Sequence, residues 1–266
     1  MKAILYCVFT LLIAITLSVS FAVASELILK KVTLRTANAS KLSNWYIEHL
    51  LFEVDINNDH RIVLNKFGFV LELIEQENAI RLDNVKLKDG KNRMTGIYKY
   101  GFAVNNLDSL FEYVSAKELQ TRGGIINDSQ AGMKSFILVD PDNNYIQFFE
   151  KKGRLENLQN KPDWYPSFLM IYTDDFKSSF EWYGKLDFKE VSNYDNSARD
   201  IFQRSIFNGE LLIELVQYQA RVANKPNYTQ IAERLVGITA IGCASDITDD
   251  SITDASGNVI EIIHKD

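Results

Sequence analysis

The run Asp140-Pro141-Asp142-Asn143-Asn144, followed by Tyr145-Ile146-Gln147-Phe148-Phe149-Glu150, constrains the fold more than any other stretch. Proline fixes φ, while Asp and Asn bond back to nearby backbone and tolerate left-handed geometry, so the first five residues predict a tight turn. The aromatic and β-branched residues that follow predict a strand. A weaker copy, Thr253-Asp254-Ala255-Ser256-Gly257-Asn258 before Val259-Ile260-Glu261-Ile262-Ile263, lies near the end of the chain. A turn and strand used twice point to an internal repeat.

Four units follow. The first has a strand over 28–36, a helix over 39–51 and strands over 52–56, 61–67 and 69–74. Leu42, Trp45, Tyr46, Ile47 and Leu50 fall at helical spacing behind Asn38, a natural N-cap. The second has a strand over 98–104, a helix over 107–119, a short strand after Gly123-Gly124, and strands over 133–139 and 145–150. The third repeats the order over 168–173, 176–186, 188–194, 199–207 and 211–216. The fourth keeps only strands over 237–244 and 259–263. From helix-start residue to the polar centre of the closing strand the separation is 34 for Asn38 to Glu72, 41 for Asn106 to Gln147 and 39 for Asp175 to Glu214. For Asp246 to Glu261 it is 15, too few for a helix and two strands. The expected class is therefore α+β, built from βαβββ units with the last truncated. The expected domains are 27–150 and 167–266, joined by a polar linker at 151–166.

The 266 residues leave room for both domains, and 46% hydrophobic with 24% charged residues excludes a disordered chain. Residues 1–24 carry Lys2 as their one charge, an apolar run and Ala22-Val23-Ala24, the pattern of a signal peptide cleaved after Ala24. The expected location is secreted or periplasmic. The alternative is an uncleaved anchor, since 3–25 is uncharged and near the ~20 residues that span a bilayer. The formal charge of −6, one unit more negative without Lys2, argues against a nucleic-acid partner. Cys7 lies in the leader, so Cys243 has no internal disulfide partner and reads as a small core residue. The Trp45-Tyr46 and Trp182-Tyr183 pairs fit helix cores, and Trp164-Tyr165 a linker anchor. Gly90 within 86–93 marks a solvated basic loop or a flap, and Asn38, Asn127 and Asn227 head glycosylation sequons.

A repeated βαβββ unit with Asp-Pro-Asp-Asn-Asn before its closing strand resembles the vicinal oxygen chelate superfamily. That superfamily includes glyoxalase I, extradiol dioxygenases, fosfomycin-resistance enzymes and bleomycin-resistance proteins. The resemblance covers 27–150 well, 164–217 fairly and 230–266 in part, and it implies two domains of cupped mixed sheets. In its metalloenzymes one ligand, most often His, comes from the first strand of a unit and another, most often Glu, from the closing strand. Carried over by register, the first-strand positions are Lys31, Lys99, Phe168 and Thr239, and the closing positions are Glu72, Gln147, Glu214 and Glu261. None is His; His49, His60 and His264 fall on a helix, in a turn and at the C-terminus. An ammonium has no lone pair to give a cation. No metal or other cofactor is therefore expected in 27–150, and no catalytic residue is assigned.

Strand alternation adds Thr33, Arg35, Val70, Ile74, Gly101, Ala103, Tyr145 and Phe149 to that cup. Lys31, Arg35 and Lys99 against Glu72 make it cationic. The expected ligand is a small anion held by Lys31, Arg35, Glu72, Lys99, Tyr145, Gln147 and Phe149, with Arg35 as the fork and the two rings as walls. The lysines would equally suit exposed strand edges, where Lys is usually found. Both pairings of units occur in the superfamily, so Lys31 and Lys99 need not share a pocket. The other cup would hold Phe168, Met170, Tyr172, Leu212, Glu214, Thr239, Cys243 and Glu261, whose acids suit solvation better than a hard cation such as Ca²⁺ or Mg²⁺. Small-molecule binding, as in the metal-free bleomycin-resistance branch, is the leading expectation. The rivals are a lyase or ring-cleaving dioxygenase with a non-standard site, or a metal-free enzyme using Lys31 or Lys99 as acid or base. A further rival is a docking or homodimer surface.

Overall fold

A computed structural model describes residues 26–81, 84–85, 93–151, 153–158, 161, 163–218, 222–223, 230 and 233–264. The expected leader at 1–24, Gly90 and Asn227 lie outside them. Among the described residues no helix is long and apolar enough to cross a membrane.

The first unit runs β1 (Ile28–Thr36), α1 (Ala39–Leu50), β2 (Glu53–Asn58), β3 (Arg61–Lys66) and β4 (Phe69–Glu75). After the two-residue β5 (Arg93–Met94), the second runs β6 (Gly96–Val104), α2 (Leu107–Ala116), β7 (Ile126–Asp128), β8 (Met133–Val139) and β9 (Tyr145–Lys151). The third runs β10 (Tyr165–Tyr172), α3 (Phe176–Gly184), β11 (Lys189–Asn196), β12 (Ile201–Phe207) and β13 (Leu212–Tyr218). The two-residue β14 (Val222–Ala223) pairs with β5. The fourth unit keeps β15 (Gly237–Ser245), the short β16 (Ser251–Thr253) and β17 (Val259–His264), with no helix. Asn38, Asn106 and Asp175 each cap their helix, the side chain accepting from the backbone N–H three residues on.

The strands form two large mixed sheets. One has the order β16-β17-β15-β1-β4-β3-β2, the other β11-β12-β13-β10-β6-β9-β8-β7. The first thus joins units one and four, the second units two and three. In each, the first strands meet antiparallel at the centre, β1 with β15 and β6 with β10. The division at 151–166 does not fall between the sheets, because 27–150 contributes strands to both. The physical reason is edge pairing: β6 has an open edge, and β10 follows β9 closely enough to cover it. The edge of β1 is left for β15.

Described residues of the stretch expected as a linker pack into the fold. Gly153–Leu158 winds into 3₁₀ turns, and Leu155 and Leu158 are fully buried. Trp164 anchors it, its ring 4.8 Å from Phe148 and 5.7 Å from Phe102, with the Lys66 ammonium 4.5 Å away.

One apolar core takes in residues of both sheets and of α1, α2 and α3, including Tyr46, Phe69, Tyr100, Phe148, Tyr183 and Ile241. Cys243 lies in it, fully buried, and burial pushes its thiol up to about 12. A second core covers the other face of the eight-stranded sheet with Phe149, Phe168, Met170, Leu155 and Leu158.

The two turn motifs prove equivalent atom by atom. Asp140 accepts from the N–H groups of Asp142 and Asn144, the Asn144 amide at 2.8 Å and the Tyr46 hydroxyl at 2.9 Å. Asp254 accepts from the N–H groups of Ser256 and Asn258, the Asn258 amide at 2.8 Å and the Tyr183 hydroxyl at 2.8 Å. Asn143 (φ 61°) and Gly257 (φ 80°) hold the left-handed position of each turn. The helix of unit one is thereby tied to the turn of unit two, and the helix of unit three to the turn of unit four. Sheets join the units one way; the buried Tyr–Asp bonds join them the other.

Candidate functional site

Val32 and Leu34 of β1 are fully buried in the main core, so Lys31 and Thr33 stand on the opposite, cupped face of the seven-stranded sheet. Lys31 Nζ lies 3.2 Å from Glu72 Oε2 on β4 and 2.6 Å from Glu261 Oε2 on β17. Between Lys31 and Glu261 in the strand row is Gly242 of β15. Having no side chain, it lets the ammonium reach across: a Cβ there would sit 3.0 Å from Lys31 Cβ. Glu72 also accepts from Thr33 Oγ1 at 2.9 Å and from Arg61 Nε on β3 at 2.5 Å. Closing-strand carboxylates of two different units therefore share one first-strand ammonium. Around them on the same face stand Ile56, Ile74, Val259 and Ile263, each between 38% and 44% exposed.

Burial by itself would lower the Lys31 pKa, but hydrogen bonds to Glu261 and Glu72 outweigh it and hold the pKa above its ordinary value. For Glu72 burial pushes upward, and the bonds from Arg61, Thr33 and Lys31 overcome it and pull the carboxyl down. Both groups are charged at neutral pH. Lys31 and Arg61 balance Glu72 and Glu261, so the cationic cup expected from the sequence is neutral at its centre. The expectation had placed Glu261 in another cup and had not used Arg61. Arg35 is tied back at the end of β1, its Nη1 donating to the Leu235 carbonyl at 3.3 Å.

The four register positions of this cup are thus Lys31, Glu72, Thr239 and Glu261. Thr239 Oγ1 donates to the Thr33 carbonyl. Among the described residues no three His, Cys, Asp or Glu side chains cluster as a metal would require. Two carboxylates already neutralised by an ammonium do not fit the divalent metal that metalloenzymes of the resembled superfamily hold at this register.

The eight-stranded sheet repeats the plan. Lys99 Nζ lies 2.6 Å from Gln147 Oε1 and 3.2 Å from Glu214 Oε2, and 5.2 Å from the Phe168 ring centre. These are again the first- and closing-strand positions of two units. Lys99, Gln147 and Glu214 are buried, however, under Phe149, Phe168, Met170, Leu155 and Leu158. Ser205, opposite Glu214 on β12, has a fully buried hydroxyl without a partner. Phe149 is no rim wall; it is core, its ring 6.1 Å from Phe168.

The seven residues expected to share one pocket thus divide. Lys31 and Glu72 meet in the open cup, Lys99 and Gln147 in the filled one, and Phe149 packs beside the latter. Tyr145 goes elsewhere: with Tyr98, Arg81, Asn143 and Thr239 it lines a cavity of about 560 Å³ between the starts of β6 and β15. The Leu235 carbonyl that binds Arg35 belongs to a residue of the same wall. Arg61 had a sequence signal that went unused, since it alternates with Val63, which pairs with Glu72.

No family model matches the chain, and no curated protein matches it in sequence. Solved structures do match. Glyoxalase I from Zea mays shares 10% identity over 92% of this chain and 95% of that one, with a TM-score of 0.58. A point mutant of the same enzyme gives 11% over 90% and 93%, with a TM-score of 0.59. A Bacillus subtilis protein provisionally assigned as a dioxygenase gives 9% over 89% and 84%, with a TM-score of 0.57. At these identities the likeness is one of fold.

Proposed function

We propose that this chain, which has the fold of the vicinal oxygen chelate superfamily, binds a small molecule in its open cup. In this reading the Lys31 ammonium stands where metalloenzymes of that superfamily hold a metal, and the ancestral metal site is lost. The carrying observation is the placement of Lys31 Nζ between Glu72 and Glu261 at 3.2 and 2.6 Å. A cation supplied by the chain removes the reason to recruit one from solution. It also fixes both carboxylates without leaving the open coordination positions a Lewis acid needs.

Binding is favoured over acid–base catalysis by Lys31. Its raised pKa keeps it protonated at neutral pH, so it is no base, and it is a poor proton donor there. The members of the cluster most open to solvent are Arg61 and Glu261, whose side chains are 46% and 41% exposed. With the isoleucine and valine rim they suit a small amphipathic ligand, an anionic group meeting Arg61. We also hold to export, with the leader cleaved after Ala24.

Elemental analysis and native mass spectrometry of the purified protein test this reading together with a thermal-shift panel of small carboxylates. The expected result is no stoichiometric Fe, Mn, Ni or Zn. A panel member at 100 times its Kd should stabilise the protein by about 2.7 kcal/mol. That gain should disappear in Arg61→Gln and in Ile74→Glu. A stoichiometric transition metal, or turnover abolished by chelation, would sink it.

A further inference from the structure

We infer that the ligand of the open cup is a short apolar turn of another polypeptide, with two leucines three residues apart. The inference rests on the reading of that cup as the binding site and names the class of its ligand.

The two cups are built on one register. Lys31 and Thr33 of β1 pair with Gly242 and Ala240 of β15, as Lys99 and Gly101 of β6 pair with Met170 and Phe168 of β10. The step in register before Lys31 recurs before Lys99, and the step after Thr33 recurs after Gly101. Beyond the first step Ile28 opposes Ala244, as Gly96 opposes Tyr172. Glu261 beside Gly242 answers Glu214 beside Met170. Floor residues of the two cups can therefore be compared position by position.

The cups differ in what covers them. Over the eight-stranded sheet the chain supplies its own cover. Leu155 and Leu158, in the 3₁₀ turns of Gly153–Leu158, are fully buried in one apolar cluster with Phe168, Met170 and Tyr172. Glu156 and Asn157 between them are exposed. Over the seven-stranded sheet Ile56, Ile74, Val259 and Ile263 stay open to solvent. The floor is also lower there. Ala240, Gly242 and Ala244 stand at the positions of Phe168, Met170 and Tyr172.

A trough with a low floor and an aliphatic rim gives a ligand its main gain through burial of hydrocarbon, because Lys31 and Arg61 are already matched by Glu72 and Glu261. The closed cup shows which shape meets this register: two leucines on the inner side of a turn whose polar residues face solvent. Anchors spaced in this way are how an apolar turn is read by a groove. A second copy of the chain keeps its own Leu155 and Leu158 buried, so the turn has to come from a different polypeptide.

Titration of the purified protein, labelled at its isoleucine δ1 methyls, with the capped peptide Gly-Arg-Leu-Glu-Asn-Leu tests this by NMR. The peptide copies residues 153–158. The expected result is a saturable shift of the Ile56, Ile74 and Ile263 methyls with Kd below about 1 mM, while the core methyls of Ile146 and Ile241 stay in place. The same peptide with both leucines changed to serine should bind about tenfold weaker or worse. Ala240→Phe, which raises the floor as Phe168 does in the closed cup, should weaken the leucine peptide by about tenfold once its thermal melt confirms folding. No saturation up to about 5 mM, equal binding of the serine peptide, or unchanged affinity in folded Ala240→Phe would overturn the inference. A small carboxylate that moves these methyls where the peptide does not would overturn it and leave the cup a small-molecule site. If neither moves them, the reading of the cup falls as well. Concentration-dependent shifts of the same methyls without peptide, with a dimer on size exclusion, would overturn it by giving the cup to a second copy.

Discussion

Lys31, half-buried, and Asp140, fully buried, show how differently two ionisable groups are handled. Lys31 is surrounded by acceptors that favour its charged form, so its raised pKa keeps it an ammonium through the physiological range. Asp140 is buried enough that desolvation pushes its carboxyl from the ordinary 3.8 to about 6, although Asn144 and Tyr46 donate to it. For an acid with a raised folded pKa, the folded chain holds a proton that the unfolded chain has released between roughly pH 4 and 6. Its contribution is therefore largest below that window and is lost as pH rises through it. We expect urea denaturation to show wild type losing stability relative to Asp140→Asn between about pH 4 and pH 7, by on the order of 2 kcal/mol. Parallel pH curves for the two proteins would contradict this. The pairing of Lys31 with Glu72 was legible in the sequence because both sit in one unit, on neighbouring strands, where alternation sets the face. The pairing with Glu261 was not, because it needs a strand more than 200 residues away to arrive at the right edge.

At the scale of elements, two glycines decide how closely strands approach. Gly101 on β6 lies against β9, and a Cβ there would run into the Gln147 carbonyl. That clash is with backbone, which cannot swing aside as a side chain can. A Cβ on Gly242 of β15 would meet only the Lys31 and Ile263 side chains at 3.0 Å, a contact that can relax. Gly101→Ala should cost about 3 kcal/mol or more, and Gly242→Ala about 1 kcal/mol, in denaturant midpoints. The reverse ranking would mean that the strands shift more easily than the Lys31 cluster does. Sequence periodicity placed the helices and most strands, and the three N-caps were legible as Asn38, Asn106 and Asp175. The stretch 151–166 was misread because its polar composition describes its solvent side. Leu155, Leu158 and Trp164, the residues that face inward, decide its role.

For the whole molecule, the crossing of two kinds of joint matters most. Sheets bind unit one to four and two to three, while Tyr46–Asp140 and Tyr183–Asp254 bind one to two and three to four. Each unit is thus held by two others, and cutting between 150 and 167 takes three of seven strands from one sheet and four of eight from the other. We expect a 27–150 fragment to be unfolded or aggregated by circular dichroism and size exclusion, since the edges of β1 and β6 would lie open. A monomeric, cooperatively melting fragment would refute that. Local chemistry in the sequence determined the repeat, the α+β class, the turn-and-strand motif, the missing middle of the last unit and the lysines at the ligand register. All of these follow from propensity, capping and the two-residue period of a strand, which act over a few residues. The tertiary structure alone decided which units share a sheet, which cup stays open, and that Lys31 would meet a second carboxylate. Those depend on which open edge finds which partner, a choice made by long-range pairing and burial that no short stretch encodes.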